Sequence, residues 1–101
     1  MRVGKICGFQ QLSAATLASS TALIVPTHPS TGEKPNAAMM TAFTGNVRYR
    51  DDGAAPTASI GLRLVAGVDP YLYMGDLANF RAIAEGGSPT LDVTYVIAVP
   101  D

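Results

Sequence analysis

The sequence predicts an all-β fold: a two-sheet antiparallel β-sandwich of seven or eight short strands, with a jelly roll as one form open to it. Three observations predict it. Ten glycines and seven prolines punctuate 101 residues and leave little room for long helices. Runs of branched and aromatic residues alternate with polar ones at the period of a half-buried strand. Turn signals recur about every ten to twelve residues, the spacing of sandwiches and barrels, and no strand–helix–strand rhythm accompanies them. A chain of this length can bury one core but not two, so residues 1–101 are read as a single domain.

In chain order, residues 1–12 predict a first strand or arm available for contact with a neighbour. Residues 13–20, SAATLASS, carry no clear pattern. Ala22-Leu23-Ile24-Val25 predicts a buried strand ended by Pro26, because its branched residues suit a packed sheet. The Pro-rich stretch 26–36 predicts a loop inside the domain. Residues 37–43, AAMMTAF, lead through Gly45-Asn46 into Val47-Arg48-Tyr49-Arg50. There Val47 and Tyr49 share one face, and Arg48 and Arg50 the other. Asp51-Asp52-Gly53 is a turn signal, since both residue types accept left-handed geometry. After a loop at 54–59, Ile60 to Val65 alternates again, with Arg63 opposite Ile60, Leu62 and Leu64. Tyr71 to Met74 predicts a short strand, and Asp76 a cap on one helical turn before a strand from Phe80 to Ala84. Leu91 to Val99 is the clearest strand, with Leu91, Val93, Tyr95 and Ile97 aligned.

Composition narrows the function classes. Charged residues make up 15% of the chain and hydrophobic ones 48%, against about 25% charged in an average soluble domain. A weakly charged, apolar exterior invites association with other chains. The net charge of −1 supplies no positive field for nucleic acid, and no basic run suits an anionic membrane. No window approaches the roughly 18 apolar residues of a spanning helix, and Gln10-Gln11 interrupts the apolar part of the start, so no cleaved signal is expected. The lone Cys7 can form no disulfide within the chain and is expected to be buried.

Groups able to do chemistry are scarce. A hydrolytic triad would need His28, the single histidine, as base, yet it sits in the Pro-rich loop. One histidine and one cysteine make a zinc site untenable, and Asp51-Asp52-Gly53 lacks the later oxygen ligands of a calcium loop. Thr31 to Pro35, TGEKP, matches a zinc-finger linker by accident, without fingers on either side. Asp76 and Asp92 form no evident glycosidase pair, because the chain has no Trp and most tyrosines fall on predicted core faces. The expectation is therefore a protein that is not an enzyme and holds no cofactor and no metal.

The segment Arg48 to Gly53 stands out. Its charges suit a salt-bridged turn, or an arginine that reaches a neighbouring subunit's carboxylate, where the guanidinium fork fixes register. The two roles are compatible. The predicted interface residues are Arg48, Arg50, Asp51, Asp52, Tyr71 and Tyr73.

The run NVRYRDDGAAPTASIGLRLVAG, followed by GDLANFRAI and TLDVTYV, resembles a group of small virion structural proteins of tailed bacteriophages and prophages. The shared features are an RYRDDG-like turn (Arg48 to Gly53), an APTA-type loop (Ala55 to Ala58) and an aliphatic strand ending in Gly (Ile60 to Gly67). A GDL turn (Gly75 to Leu77) and a last strand (Leu91 to Tyr95) complete them. The likeness spans about Ala22 to Val99; the Pro-rich Thr27 to Pro35 and the aromatic Tyr71-Leu72-Tyr73 depart from it. It implies a capsid decoration or cement protein, a dimer or trimer bound to the major capsid protein at the capsid surface of the virion and made in the host cytoplasm. It implies no nucleic-acid or membrane partner. The alternatives are a tail or head–tail junction protein and, from another class, a carbohydrate- or receptor-binding module that stacks a sugar on Tyr71 or Tyr73.

Overall fold

Alternating runs become strands where a neighbour can complete their hydrogen bonds. In the computed structural model, which describes residues 2–100, the chain forms β1 (Arg2–Leu12), a single helical turn α1 (Ala14–Leu17), β2 (Thr21–Ala22), β3 (Ala37–Phe43) and β4 (Val47–Arg50). It continues through β5 (Leu62–Leu64), β6 (Tyr71–Tyr73), a 3-10 turn (Leu77–Asn79), β7 (Arg81–Ala84) and β8 (Thr90–Val99). The Met1 end of the predicted 1–12 strand, and both ends of the predicted 1–101 domain, lie outside the described residues.

Two four-stranded sheets result, ordered β1-β8-β3-β6 and β2-β7-β4-β5, and every strand pair is antiparallel. Consecutive strands change sheet at each step except between β4 and β5. The pairs β1·β8, β2·β7, β3·β6 and β4·β5 are those of one long ribbon doubled on itself and rolled up, which is the jelly-roll arrangement of a β-sandwich. Residues 51–61 are the tip of that ribbon. Gly61 sits at the tip with φ +140°, and a Cβ there would lie 2.9 Å from the carbonyl oxygen of Tyr49; only glycine allows the ribbon to close so tightly.

Between the sheets lie Leu17, Met40, Val47, Phe80, Leu91, Val93 and Tyr95, all buried. Tyr49 stacks on Phe80 with centroids 4.8 Å apart, and Tyr73 meets both edge-on at 5.7 and 5.1 Å. The trio joins β4 of one sheet to β6 of the other.

The expected strands at 3–12, 47–50, 71–74 and 91–99 are present, the third ending one residue early at Tyr73, and Asp76 caps the 3-10 turn through Oδ1, which accepts from Ala78 N at 3.0 Å. Two expectations need correction, and one stretch with no assigned element holds one. The buried strand expected at Ala22 to Val25 reduces to Thr21–Ala22; Ile24 is 77% exposed. Here the chain leaves its sheet, and Ile24 N donates to the Gln10 side chain instead of to a strand. Residues 13–20 hold a helical turn. Ser13 caps it and Leu17 is its buried anchor, a unit too short to show a period. The strand predicted from Ile60 to Val65 narrows to three residues on a sheet edge, where Ile60 and Leu62 remain exposed.

The loop at 26–36 contains no strand and packs on β1. Lys5 pairs with Glu33 at 2.5 Å, Cys7 Sγ lies 3.9 Å from Glu33 O, and Pro26 abuts Gly8. Asn36 donates to Ala98 O at 3.1 Å and accepts from Ala98 N at 2.8 Å.

Phe80→Ala, which opens a cavity at the junction of the aromatic trio, is expected to cost about 3–5 kcal/mol in denaturant unfolding. Ile24→Ala is expected to stay within about 0.5 kcal/mol; a cost of about 2 kcal/mol or more would restore the buried strand.

Candidate functional site: two unlike outer faces

In a strand, burying one side chain exposes the next. Val47, Tyr49, Leu64, Phe80 and Ala82 enter the core, so the arginines between or beside them turn outward. Arg48 stands opposite Arg63 across β4·β5, and Arg50 opposite Arg81 across β4·β7. Four of the five arginines in the chain thus share the outer face of one sheet.

Like charges directly opposite each other repel, and each guanidinium has a partner within the chain. Glu85 Oε2 accepts from Arg63 Nε at 2.6 Å and lies 3.3 Å from Arg48 Nε. The buried Arg48 Nε is not aligned for a hydrogen bond, whereas Arg48 Nη1 donates to Gly61 O at 3.0 Å. Arg50 grips both oxygens of Asp52, at 3.1 and 2.5 Å, and Arg81 donates to Ser20 Oγ at 2.8 Å. The Arg50 hydrogen bond and the backbone N–H of Ala54 hold the Asp52 carboxyl below its ordinary range. Four arginines against Glu85 and Asp52 leave two positive charges in excess. The face is preorganised and basic.

The six predicted interface residues do not form one cluster. Arg48, Arg50 and Asp52 belong to the arginine face, and the predicted salt-bridged turn is the Arg50–Asp52 pair. Asp51 instead accepts from Tyr73 Oη at 2.6 Å and so ties the ribbon tip to the opposite sheet. Tyr73 is 3% exposed and offers no ring to a ligand; Tyr71, at the other end of β6, is 48% exposed. A groove of about 270 Å³ runs at the tip between Tyr49, Arg50, Asp52 and the Ile60–Leu62 arm. Sequence reasoning missed Arg63, Arg81 and Glu85 as members of the face. The available signal was that Arg48, Arg63 and Arg81 each stand between two apolar residues in a short strand.

The outer face of the β1-β8-β3-β6 sheet is of another kind. Leu91, Val93 and Tyr95 point into the core, which turns Asp92, Thr94, Val96 and Ala98 outward. Val96 and Ala98, with Ala37 beside them and Leu72 packed against them, form a second buried cluster separate from the main core. Their β1 neighbours on the same side are Val3 (paired with Ala98), Ile6 (with Val96) and Phe9 (with Thr94). These are 40%, 61% and 62% exposed. The alignment expected for β8 holds for Leu91, Val93, Tyr95 and Ile97, which packs against the same core, but the opposite side is apolar too from Val96 onward.

The reactive groups are occupied in structure. His28 Nδ1 accepts from Ser30 N and Thr31 N at 3.1 and 3.2 Å and shapes its own turn. Cys7 is buried, and burial, then the Glu33 carboxylate, pushes its thiol up. Asp76 caps a turn and Asp92 accepts from Gln11 Nε2 at 2.9 Å. Among the described residues, no three His, Cys, Asp or Glu side chains converge on a point that could hold a metal ion, and no helix is long and apolar enough to cross a membrane.

Burial raises the Tyr49, Tyr73 and Tyr95 phenols above the ordinary tyrosine value, and for Tyr73 the Asp51 hydrogen bond and charge add to it. Each holds its proton more tightly folded than unfolded. Stability is therefore full below about pH 10, the unfolded tyrosine value, and falls as pH rises above it. Thermal midpoints are expected to drop over that range together with the tyrosinate absorbance change. Tyr73→Phe is expected to lessen the drop while costing about 1–2 kcal/mol at neutral pH through the unpaired Asp51.

Compared with known proteins, the chain matches no family model, no curated protein and no solved structure.

Proposed function

We propose that this chain is a structural protein of a tailed-bacteriophage virion, a capsid decoration or cement protein that binds the assembled lattice of the major capsid protein. The observation that carries the reading is the arginine face: a basic surface, rigidly held, on a chain whose net charge is −1. Oriented guanidinium groups suit a protein surface that presents carboxylates, and the forks fix register as well as sign. The segment that carries the resemblance to phage virion proteins, Arg48 to Gly53, lies at the edge of that face.

The mechanism is mass action. A ligand that binds the assembled lattice and not its free subunits stabilises it by RT ln(1 + [L]/Kd) per site. Repetition over a shell turns weak single contacts into strong retention. The carbohydrate-binding alternative loses one of its two stacking rings, because Tyr73 is in the core.

The test is the protein content of purified particles. Copies in the hundreds support decoration, copies in the tens or fewer move the chain to the tail or head–tail junction, and absence from particles removes the reading. Retention is expected to weaken with salt, and Arg63→Gln, which removes the charge without setting a second carboxylate against Glu85, to lower affinity for the particle about threefold or more with the isolated fold intact. Arg48→Glu is unsuitable for this purpose: its side chain is 19% exposed and touches Glu85, so reversal sets two carboxylates together and is expected to destabilise the fold by about 1–3 kcal/mol.

A further inference from the structure

We infer that the open edge of β5 takes up an extended segment of the partner protein as an added strand, and that this segment alternates acidic with apolar side chains. This deepens the preceding reading: it rests on the arginine face and names the form in which the carboxylates arrive.

β5 ends its sheet and pairs with β4 alone. In an antiparallel pair, alternate residues point their N–H and C=O away from the neighbour. Among the described residues, no backbone hydrogen bond outside the β4 pairing takes up those of Leu62–Leu64. The edge is also regular. β1 carries register shifts between Val3 and Lys5 and between Ile6 and Gly8, with the Glu33 loop against it. Along β5, by contrast, Leu64, Arg63 and Leu62 meet Val47, Arg48 and Tyr49 without a break. Regular, uncovered backbone at a sheet edge is the template for strand addition. With three residues to pair, the single contact is weak, as suits one repeated over a shell.

Charge decides the occupant. Arg63 is the outward residue of this edge, and its side chain is 47% exposed. Glu85 holds its Nε and so orients the fork, while among the described residues neither terminal nitrogen has a hydrogen-bond acceptor. A second copy paired through β5, in the antiparallel register that overlaps all three residues, sets Arg63 directly opposite its counterpart. Like charges so placed repel. The arginine that turns away another copy offers two donors to a carboxylate on an incoming strand.

The inward side of the edge asks for apolar groups. Leu62 shares a face with its cross-strand partner Tyr49, yet Tyr49 is buried and Leu62 is 62% exposed. The sheet runs past the core here. Ile60 is exposed beside it, and the two line the groove of about 270 Å³ against Tyr49. The residue next to the carboxylate on an added strand points to this side and covers Leu62. Neighbouring residues of one extended segment thus meet Arg63 and the groove at once, which a helix, with its period of 3.6, does not do.

The probe is a short capped peptide of alternating glutamate and valine, titrated into the full chain at neutral pH and followed by amide NMR. A Kd on the order of 0.1–1 mM is expected, weakening with salt, with slowed exchange of the outward amides within Leu62–Leu64. N-methylation throughout the peptide backbone, which removes every donor a ladder needs, is expected to abolish binding, and so is lysine in place of glutamate. Arg63→Gln and Leu62→Thr are each expected to weaken binding about threefold or more, with unchanged circular dichroism. Phe9→Thr, at an equally exposed position on β1, leaves it intact. No binding at about 5 mM, equal binding of the lysine peptide, or protection on another edge overturns the inference. Equal binding of the N-methylated peptide that still depends on Arg63 overturns the added strand and spares the arginine face. Particle content decides the virion reading separately, so the two failures are distinguishable.

Discussion

The clamp of Tyr49, Tyr73 and Phe80 fixes most of what is particular to this molecule. The ribbon rolls so that β4 and β6 belong to different sheets, and sheets in a sandwich sit about 10 Å apart. Three interlocking rings span that gap, and buried aromatics of this kind contribute about 0.5–1.5 kcal/mol per pair beyond their area. Tyr73 also reaches past the ring contacts to Asp51, at the first residue after β4. The clamp therefore sets where the ribbon tip begins, and with it the position of Arg50 and Asp52.

Inward and outward chemistry are coupled through this constraint. Once Tyr49 is committed to the clamp and Val47 to the core, Arg48 and Arg50 have no choice but solvent, and the cross-strand pairs bring Arg63 and Arg81 beside them. The basic face is a consequence of the core's alternation. The other sheet escapes the same logic by two means. Its central β8 is apolar on both sides from Tyr95 to Ala98, and β1 slips register twice.

The strand content was readable from residues. Val47 to Arg50 and Leu91 to Tyr95 announce both their type and their faces, because alternation survives without knowledge of partners. Asp76 was readable as a cap, and Pro26 to Asn36 as a loop, since both signals are local. Pairing was not readable. Alternation says that Tyr73 has a side but not that its side meets Tyr49 and Phe80, so the tyrosine expected at a contact surface is in the core. Ile24 and Val25 look like strand residues by propensity, yet the ribbon has to cross between sheets there and propensity loses. Of the predicted interface, Arg48, Arg50 and Asp52 share a face, but Arg63, Arg81 and Glu85 join them only through register. The β1 ridge depends on bulges, which leave no residue signature that a period of two can detect.

The arginine face and the apolar ridge of β1 are the outer sides of opposite sheets of one sandwich, and they are held in different ways. Each guanidinium of the arginine face is fixed by a partner within the chain, so a contact made there keeps its register and weakens with salt. Val3, Ile6 and Phe9 stand on an edge strand whose register shifts blunt it against the addition of a further strand. Four of the seven cations of a weakly charged chain fall on one sheet because core alternation turns them outward and cross-strand register sets them side by side. The basic face is therefore a property of the fold, and it changes only with the core that imposes it.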